Sequence, residues 1–252
     1  MVVRIPVIPT AIAALVGVAA VAWFMTRPAP DPDVQRHGME AGDLTVQDKQ
    51  TLRLVTGAVS MLAQMRKDGS DLGFGREVAE VARFHLMVLP HGFRDDCSGF
   101  VSAVFTNSGV EMDGVVASIY DLAVVHDVLH WRPVPAVGDV VFFDNTHDRN
   151  GNDEWDDMNT HIGIILEVDP DGTATFAHSG TSKGRSTGRI NIARSGEYKD
   201  KQGNILNSYL RSPEAWDKPT ATYLTGELWA GFATIEAGQD WHTDPPPPES
   251  WP

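Results

Sequence analysis

The 252-residue chain has a single cysteine, Cys97, which excludes an intrachain disulfide. Cysteine content therefore does not indicate its redox compartment. The chain also lacks basic clusters: 20 Lys and Arg stand against 34 Asp and Glu, a formal net charge of −14. Nucleic-acid partners are not expected, because they require a basic surface. Internal repeats are absent, and the length suits one domain of ordinary size with tails.

The N-terminus carries an uncharged, apolar run over residues 5–25, flanked by Arg4 and Arg27. About 20 such residues can cross a bilayer as a helix. Residues 1–27 are therefore predicted to be an uncleaved signal anchor or a cleaved signal peptide. Trp23 and Phe24 extend the run past its small residues and favour the anchor. Either way we expect an exported protein on the periplasmic or cell-envelope face, and the uncleaved anchor would also bind it to the inner membrane.

The rest of the chain divides into a Pro-rich linker (28–43), a globular domain that is expected to be catalytic (44–238) and a Pro-rich tail (239–252). Apolar spacing predicts helices before strands, which is typical of the α+β class with an antiparallel sheet. The turn residues at 169–172 predict a hairpin between two of the strands. The predicted helices are 45–67, 76–89, 97–107 and a short one within 115–129; the predicted strands are 138–143, 161–168, 173–178, 188–192 and 228–235.

Cys97 lies between a loop and an apolar run, so we expect it in the first turn of a helix. Free N–H groups and the positive end of the helix dipole favour thiolate over thiol there. Since the thiolate is the nucleophilic form of cysteine, this position predicts covalent catalysis by Cys97. The alternative is that Cys97 is a small buried hydrophobe without chemistry.

Two histidines occupy the corresponding ends of the predicted hairpin. His161 begins one strand and His178 ends the other, which places the two side chains near each other. A nucleophile, a base and a residue that orients the base form a catalytic triad. Cys97, His161 and His178 are therefore candidates for these three roles. Zinc binding by the same three side chains is disfavoured by their wide spacing, and no cofactor is required.

Four segments, in order, resemble the NlpC-type papain-like cysteine peptidases of bacterial cell walls: residues 96–101, 138–143, 161–166 and 176–178. The resemblance implies a papain-like α+β fold, with the cysteine helix packed on an antiparallel sheet. It implies cleavage of amide bonds in peptidoglycan peptides, with Cys97 as nucleophile, His161 as base and His178 as orienting residue. The related CHAP-type amidases share the helix cysteine and strand histidine.

The chain departs from that family before the cysteine. The family usually has a Tyr there that helps to build the oxyanion site, whereas residues 83–93 contain none. The backbone N–H of Cys97 is one expected oxyanion donor. His91 and His85 are candidates for the second donor, although a core position is the simpler interpretation of His85.

The acidic pair before the cysteine has two interpretations. One of Asp95 and Asp96 is expected to cap the helix N-terminus, and their charge opposes thiolate formation. The family resemblance implies that Asp96 and Ser98 contact the substrate.

An acidic insertion over residues 144–159 separates two predicted core strands. Its start resembles a dockerin-type calcium loop, with alternate residues at the positions that supply oxygen ligands. Asp153 stands where Gly is expected, although Asp tolerates the left-handed conformation, and Asn159 replaces the bidentate acid. A structural calcium ion is one interpretation, and an acidic surface loop is the other. The candidate ligands are Asp148, Asn150, Asn152, Glu154 and Asp156.

These features predict an exported cysteine hydrolase that cleaves peptidoglycan peptides through an acyl-thioester. The alternatives are a CHAP-like amidase or an acyltransferase with the same fold, and a non-catalytic cell-wall-binding module.

Overall fold

The computed structural model describes residues 73–88, 92–181, 184–239 and 241. The predicted N-terminal anchor, the linker, the helix at 45–67 and most of the Pro-rich tail lie outside these residues. Across the described ranges, none of the helices combines the length and apolar character that a membrane crossing needs.

The described residues form three α-helices, a short 3-10 helix and a six-stranded sheet, which confirms the α+β class. The strands run in the order β1-β6-β2-β3-β4-β5, and every neighbouring pair is antiparallel. The elements are α1 (Phe74–His85), α2 (Cys97–Asn107), α3 (Val116–Val125), β1 (Leu129–His130), β2 (Val140–Phe143), β3 (His161–Val168), β4 (Ala174–Thr181), β5 (Gly184–Ile190), the 3-10 helix (Ile192–Arg194) and β6 (Trp229–Ala233).

Helix α2, which begins at Cys97, is the central helix of the fold. Its residues from Ser98 to Phe105 are all buried, so this helix is enclosed on nearly every side. It packs against α1 and against the face of the sheet that carries Val140, Phe142 and Ile162. A helix buried on all sides has little freedom to shift, so Cys97 is held in a defined place.

The opposite face of the sheet has its own apolar layer. Side chains alternate along a strand, and Val141 and Phe143 of β2 therefore face away from the helices. They pack with Phe176 of β4 and with Leu210 and Leu228 from the long connection between β5 and β6. This connection covers the second face and brings residues 210–217 toward the start of β3.

A close backbone approach joins α1 to the loop before β2. Gly138 has a φ of +89°, and a Cβ atom there would lie against the backbone of Gly75. A Cβ atom at Gly75 would collide with the carbonyl of Val137. Glycine at both positions allows the start of α1 to touch the loop that leads into β2.

Most predicted elements are present with shifted ends. The helices at 97–107 and within 115–129, the strands and the hairpin are confirmed, including the predicted bounds of β3. The helix predicted at 76–89 begins two residues earlier and ends at His85, because Leu86 to Val88 turn out of it. Strand β4 continues past the predicted end at His178 as far as Thr181. The two-residue strand β1 was missed.

Asp139 ties three elements together next to β2. Its buried carboxylate accepts hydrogen bonds from the N–H of Ala136 at 2.7 Å and the hydroxyl of Thr234 at 2.7 Å, and lies 3.2 Å from His130 Nε2. We expect Asp139→Asn to lower the free energy of unfolding by about 2–4 kcal/mol. The amide NH2 group of Asn would replace a carboxylate oxygen and face groups that also donate hydrogen bonds. Urea unfolding measures this difference. The control Asp121→Asn, at an exposed helix position, should change it by less than about 0.5 kcal/mol. Equal midpoints for the two variants would contradict the prediction.

Candidate active site

Cys97 is the first residue of α2, and Asp96 caps that helix. Asp96 Oδ1 accepts the N–H of Gly99 at 2.7 Å and the hydroxyl of Ser98 at 2.9 Å. The expectation that one acid of this pair is the N-cap is confirmed for Asp96. Asp95 is exposed and lies 3.5 Å from Arg185.

Asp96 and Ser98 are also held by Arg94, whose guanidinium lies 3.2 Å from Asp96 Oδ2 and 3.0 Å from Ser98 Oγ. Burial opposes ionisation of Asp96, but the hydrogen bonds from Gly99 and Ser98 and the charge of Arg94 outweigh it and lower the pKa of Asp96. Asp96 is therefore an anion at neutral pH. Its role and that of Ser98 as substrate contacts stay a prediction.

His161 and His178 form a buried pair on the sheet. His161 Nε2 lies 2.8 Å from His178 Nδ1, which confirms the predicted proximity of the two side chains. His178 Nε2 lies 3.3 Å from Ser186 Oγ on β5. One set of tautomers that satisfies this chain has a proton on Nε2 of each ring, donated to His178 and to Ser186 in turn. Nδ1 of His161 is then the nitrogen that can take a proton.

Cys97 and His161 line one cavity of about 310 Å³, together with Asp96, Ser98 and Gly180. The backbone N–H of Ile162, the residue after His161, acts on the Cys97 thiol and tends to lower its pKa. The helix start and the strand start therefore meet in space, as the three candidate roles require. His178 reaches this arrangement through its contact with His161.

The charge state of the pair differs from the expectation. Burial, followed by the negative charge of Asp96, raises the pKa of Cys97 to about 11. Burial, followed by the charges of His178 and His147, lowers the pKa of His161 to about 3. The expected thiolate is therefore not the favoured form in this structure, because burial and the charge of Asp96 outweigh the helix terminus. At neutral pH the site holds a thiol and a neutral imidazole.

The pH dependence of Cys97 alkylation tests this charge state. We expect the iodoacetamide rate to rise about tenfold per pH unit from pH 7 to pH 9 without a plateau, because the thiolate stays a minor species below its pKa. His161→Ala should have the same profile, since a neutral ring places no charge near the sulfur. A plateau below pH 8 that is lost in His161→Ala would instead establish a preformed thiolate–imidazolium pair.

Gly180 is a site residue that the sequence analysis missed. It has a φ of +93°, and a Cβ atom there would lie 3.0 Å from the backbone N of Cys97. A side chain at this position would crowd the N–H group that is the expected oxyanion donor. The strand prediction ended at His178, so nothing in the pattern placed Gly180 beside the cysteine.

His85 lies far from the reacting groups. Its Nδ1 is 3.0 Å from the carbonyl of Val88, and its Nε2 is 2.8 Å from Asn107 Nδ2 at the far end of α2. Ten helical residues place Asn107 about 15 Å from Cys97. His85 as second oxyanion donor is therefore wrong, and its core position is confirmed; burial lowers its pKa to about 4. His91 lies outside the described residues.

The acidic insertion forms a loop closed by its own hydrogen bonds. Asp148 accepts backbone N–H groups from Gly151 at 2.6 Å, Asn152 at 3.3 Å and Asp153 at 2.9 Å. The hydrogen bond from Asp153 is the main cause that lowers the pKa of Asp148. Asp153 has a φ of +60°, so Asp does adopt the left-handed conformation at the expected glycine position.

The candidate calcium ligands are otherwise engaged with each other. Amide groups of Asn150 and Asn152 lie 3.3 and 3.4 Å from the carboxylate of Asp156. Over the described ranges, three or more His, Cys, Asp or Glu side chains do not gather in a metal-binding cluster. A calcium ion with Asp148, Asn150, Asn152, Glu154 and Asp156 as ligands stays a prediction.

A second cavity of about 610 Å³ adjoins the first and shares His147, His161 and Gly180 with it. Its walls come from the acidic insertion, through Trp155, and from the connection between β5 and β6. The sequence analysis missed this cavity, because residues 210–216 carry no motif and lie more than a hundred positions after Cys97.

The chain has a distant structural likeness among known proteins. No protein family model and no curated protein matches the chain. One matching solved structure is a Staphylococcus aureus subsp. aureus Mu50 protein described as similar to lipoprotein, NLP/P60 family, with 21% identity and a TM-score of 0.29. The match covers 44% of this chain and 36% of that one. A likeness of this extent leaves the function to be argued from the geometry of the site.

Proposed function

We propose that this chain is a cysteine hydrolase of papain-like arrangement that cleaves amide bonds through an acyl-thioester. The observation that carries the proposal is that Cys97, at a helix start, lines one cavity with His161, which contacts His178. A nucleophile, a base and a residue that holds the base are the parts that acyl transfer needs.

The neutral site supports a general-base mechanism. As the sulfur of Cys97 attacks the amide carbonyl, Nδ1 of His161 takes the thiol proton, and the carbonyl oxygen gains negative charge beside the N–H of Cys97. Collapse breaks the carbon–nitrogen bond, and His161 returns the proton to the leaving amine. Water, deprotonated by His161, then cleaves the thioester and releases a carboxylic acid and the free thiol.

Peptidoglycan peptides are the substrate we propose, on the basis of the four segments that resemble NlpC-type peptidases. Location at the cell envelope, with the N-terminal segment in the membrane, belongs to the same proposal. Transfer of the acyl group to an amine in place of water would make the protein an acyltransferase, and it requires no other residue.

A non-catalytic cell-wall-binding module is the second candidate. The raised pKa of Cys97 is compatible with it, because a buried neutral thiol is a weaker nucleophile than a thiolate. The lack of Tyr in residues 83–93 favours it.

Digestion of purified peptidoglycan fragments distinguishes the candidates. Mass spectrometry should detect pairs of products that together gain one water, with a new amine and a new carboxylate, and none from the Cys97→Ala protein. Equal retention of intact fragments by both proteins, with no product from either, would contradict hydrolysis and establish the binding module.

A further inference from the structure

The second cavity contains a buried cation that lacks a hydrogen-bonding partner. Arg211 is 5% exposed, and its Nε, Nη1 and Nη2 atoms have no hydrogen-bond partner among the described residues. The guanidinium group carries five N–H donors and is always charged. Burying such a group without hydrogen bonds costs free energy, and an anion that accepts its hydrogen bonds would remove that cost.

The nearest acid does not meet this need. Asp217 Oδ1 is 3.8 Å from Arg211 Nη2, beyond hydrogen-bonding distance. The oxygens of Asp217 already accept the indole N–H of Trp155 at 2.6 Å, the hydroxyl of Tyr223 at 2.9 Å and the N–H of Glu214 at 2.7 Å. Asp217 therefore orients the aromatic side chains around Arg211, and the N–H donors of Arg211 remain without an acceptor among the described residues.

Aromatic rings hold the guanidinium plane in place. The Cζ atom of Arg211 lies 3.5 Å from the ring centre of Trp155 and 4.8 Å from that of Tyr223. Trp155 in turn packs on Trp216, with ring centres 4.3 Å apart. Stacking occupies the faces of a guanidinium, so a carboxylate would bind along its edge with both oxygens.

Building on the proposed function, we propose that Arg211 binds a free carboxylate group of the substrate. The cavity shares His161 and Gly180 with the Cys97 cleft, so this carboxylate belongs to a peptide cleaved close to it. A singly charged carboxylate suits the site better than a phosphate, because one guanidinium is available and Glu214 also lines the cavity. The substrate class is therefore acidic peptides rather than neutral or amidated ones.

Access to Arg211 runs through the acidic insertion. Trp155 is half-buried and covers one face of the guanidinium, whose nitrogens are closed to water in this conformation. Binding thus requires the indole of Trp155 to shift, and the insertion that carries Trp155 would act as the movable wall of the cavity.

Two matched probes test the inference: acetyl-dialanine with a free C-terminal carboxylate, and its C-terminal carboxamide. Their affinities are measured by calorimetry on the full chain carrying Cys97→Ala, so that no turnover is needed. We expect the carboxylate to bind at least about tenfold more tightly than the carboxamide. Adding Arg211→Gln should abolish this preference. Arg194→Gln, at an exposed arginine paired with Glu197, should preserve it.

Equal binding of the two probes, or a dissociation constant weaker than about 10 mM for both, would overturn the inference. If Arg211→Gln fails to fold, the comparison of the two probes on the protein with intact Arg211 still decides it. Discrimination without any hydrolysis by the parent chain would count against the proposed function alone. Hydrolysis that proceeds equally well on acidic and amidated peptides would count against the role of Arg211 alone.

Discussion

Replacing Cys97 by Ala is expected to reduce amide hydrolysis by at least about 10⁴-fold, because the reaction then has no nucleophile and only substrate binding remains. The thermal midpoint should change little, since the substitution removes one sulfur atom from a side chain that borders a cavity. Steady-state hydrolysis of the fragments identified by digestion, together with calorimetric unfolding, measures both effects.

Ser102→Ala is the matched control on the same helix. Ser102 is buried, and its hydroxyl has no hydrogen-bond partner among the described residues, so its loss should be neutral or slightly stabilising and leave turnover unchanged. Substantial turnover by Cys97→Ala, or a large fall in its thermal midpoint, would show that Cys97 is a packing residue and that the hydrolase proposal is wrong.

Replacing His161 by Ala is expected to lower kcat/KM by at least about 10³-fold, because a neutral thiol needs a base to take its proton during attack. Since the pKa of His161 is about 3, its protonation should not limit the wild-type rate between pH 5 and pH 8. The pH profile of kcat/KM checks this. An acid limb centred near pH 6 would contradict it.

His161 should also make the free energy of unfolding depend on pH. His161 has a pKa of about 3 when folded and an ordinary pKa near 6.5 when unfolded, so the unfolded chain binds the proton first as pH falls. The stabilising contribution is complete above about pH 6.5 and decreases as pH falls toward 3. In His161→Ala, the number of protons taken up on unfolding at acidic pH should therefore be smaller by about one. His126→Ala, a control histidine packed on Trp241, should keep full turnover.

The elements that could be predicted from sequence are those with a local cause. An acidic cap followed by an uninterrupted apolar run placed α2 at Cys97–Asn107, and the turn at 169–172 paired β3 with β4. The pairing of those strands was enough to place His161 beside His178, because the ends of a hairpin meet whatever surrounds them. Local chemistry and strand pairing thus account for the two halves of the candidate site.

The charge state of the site could not be predicted in the same way. A helix terminus favours thiolate, but its effect is modest and local, whereas burial against β3 and the Asp96 charge act in the opposite direction and outweigh it. How deeply a side chain is buried depends on elements distant in sequence. The same holds for His85, whose position against Asn107 removed it from the candidate oxyanion donors.

By itself the sequence determined the α+β class, the cysteine at a helix start and the neighbouring histidines, because periodicity, capping and turn chemistry are properties of short segments. Only the tertiary structure decided that the thiol is neutral, that Gly180 borders the Cys97 N–H and that Arg211, in an adjoining cavity, has no hydrogen-bond partner among the described residues. Each of these depends on burial and on contacts between segments far apart in the chain, and such contacts exist only after the sheet, its helices and the long β5–β6 connection have packed together.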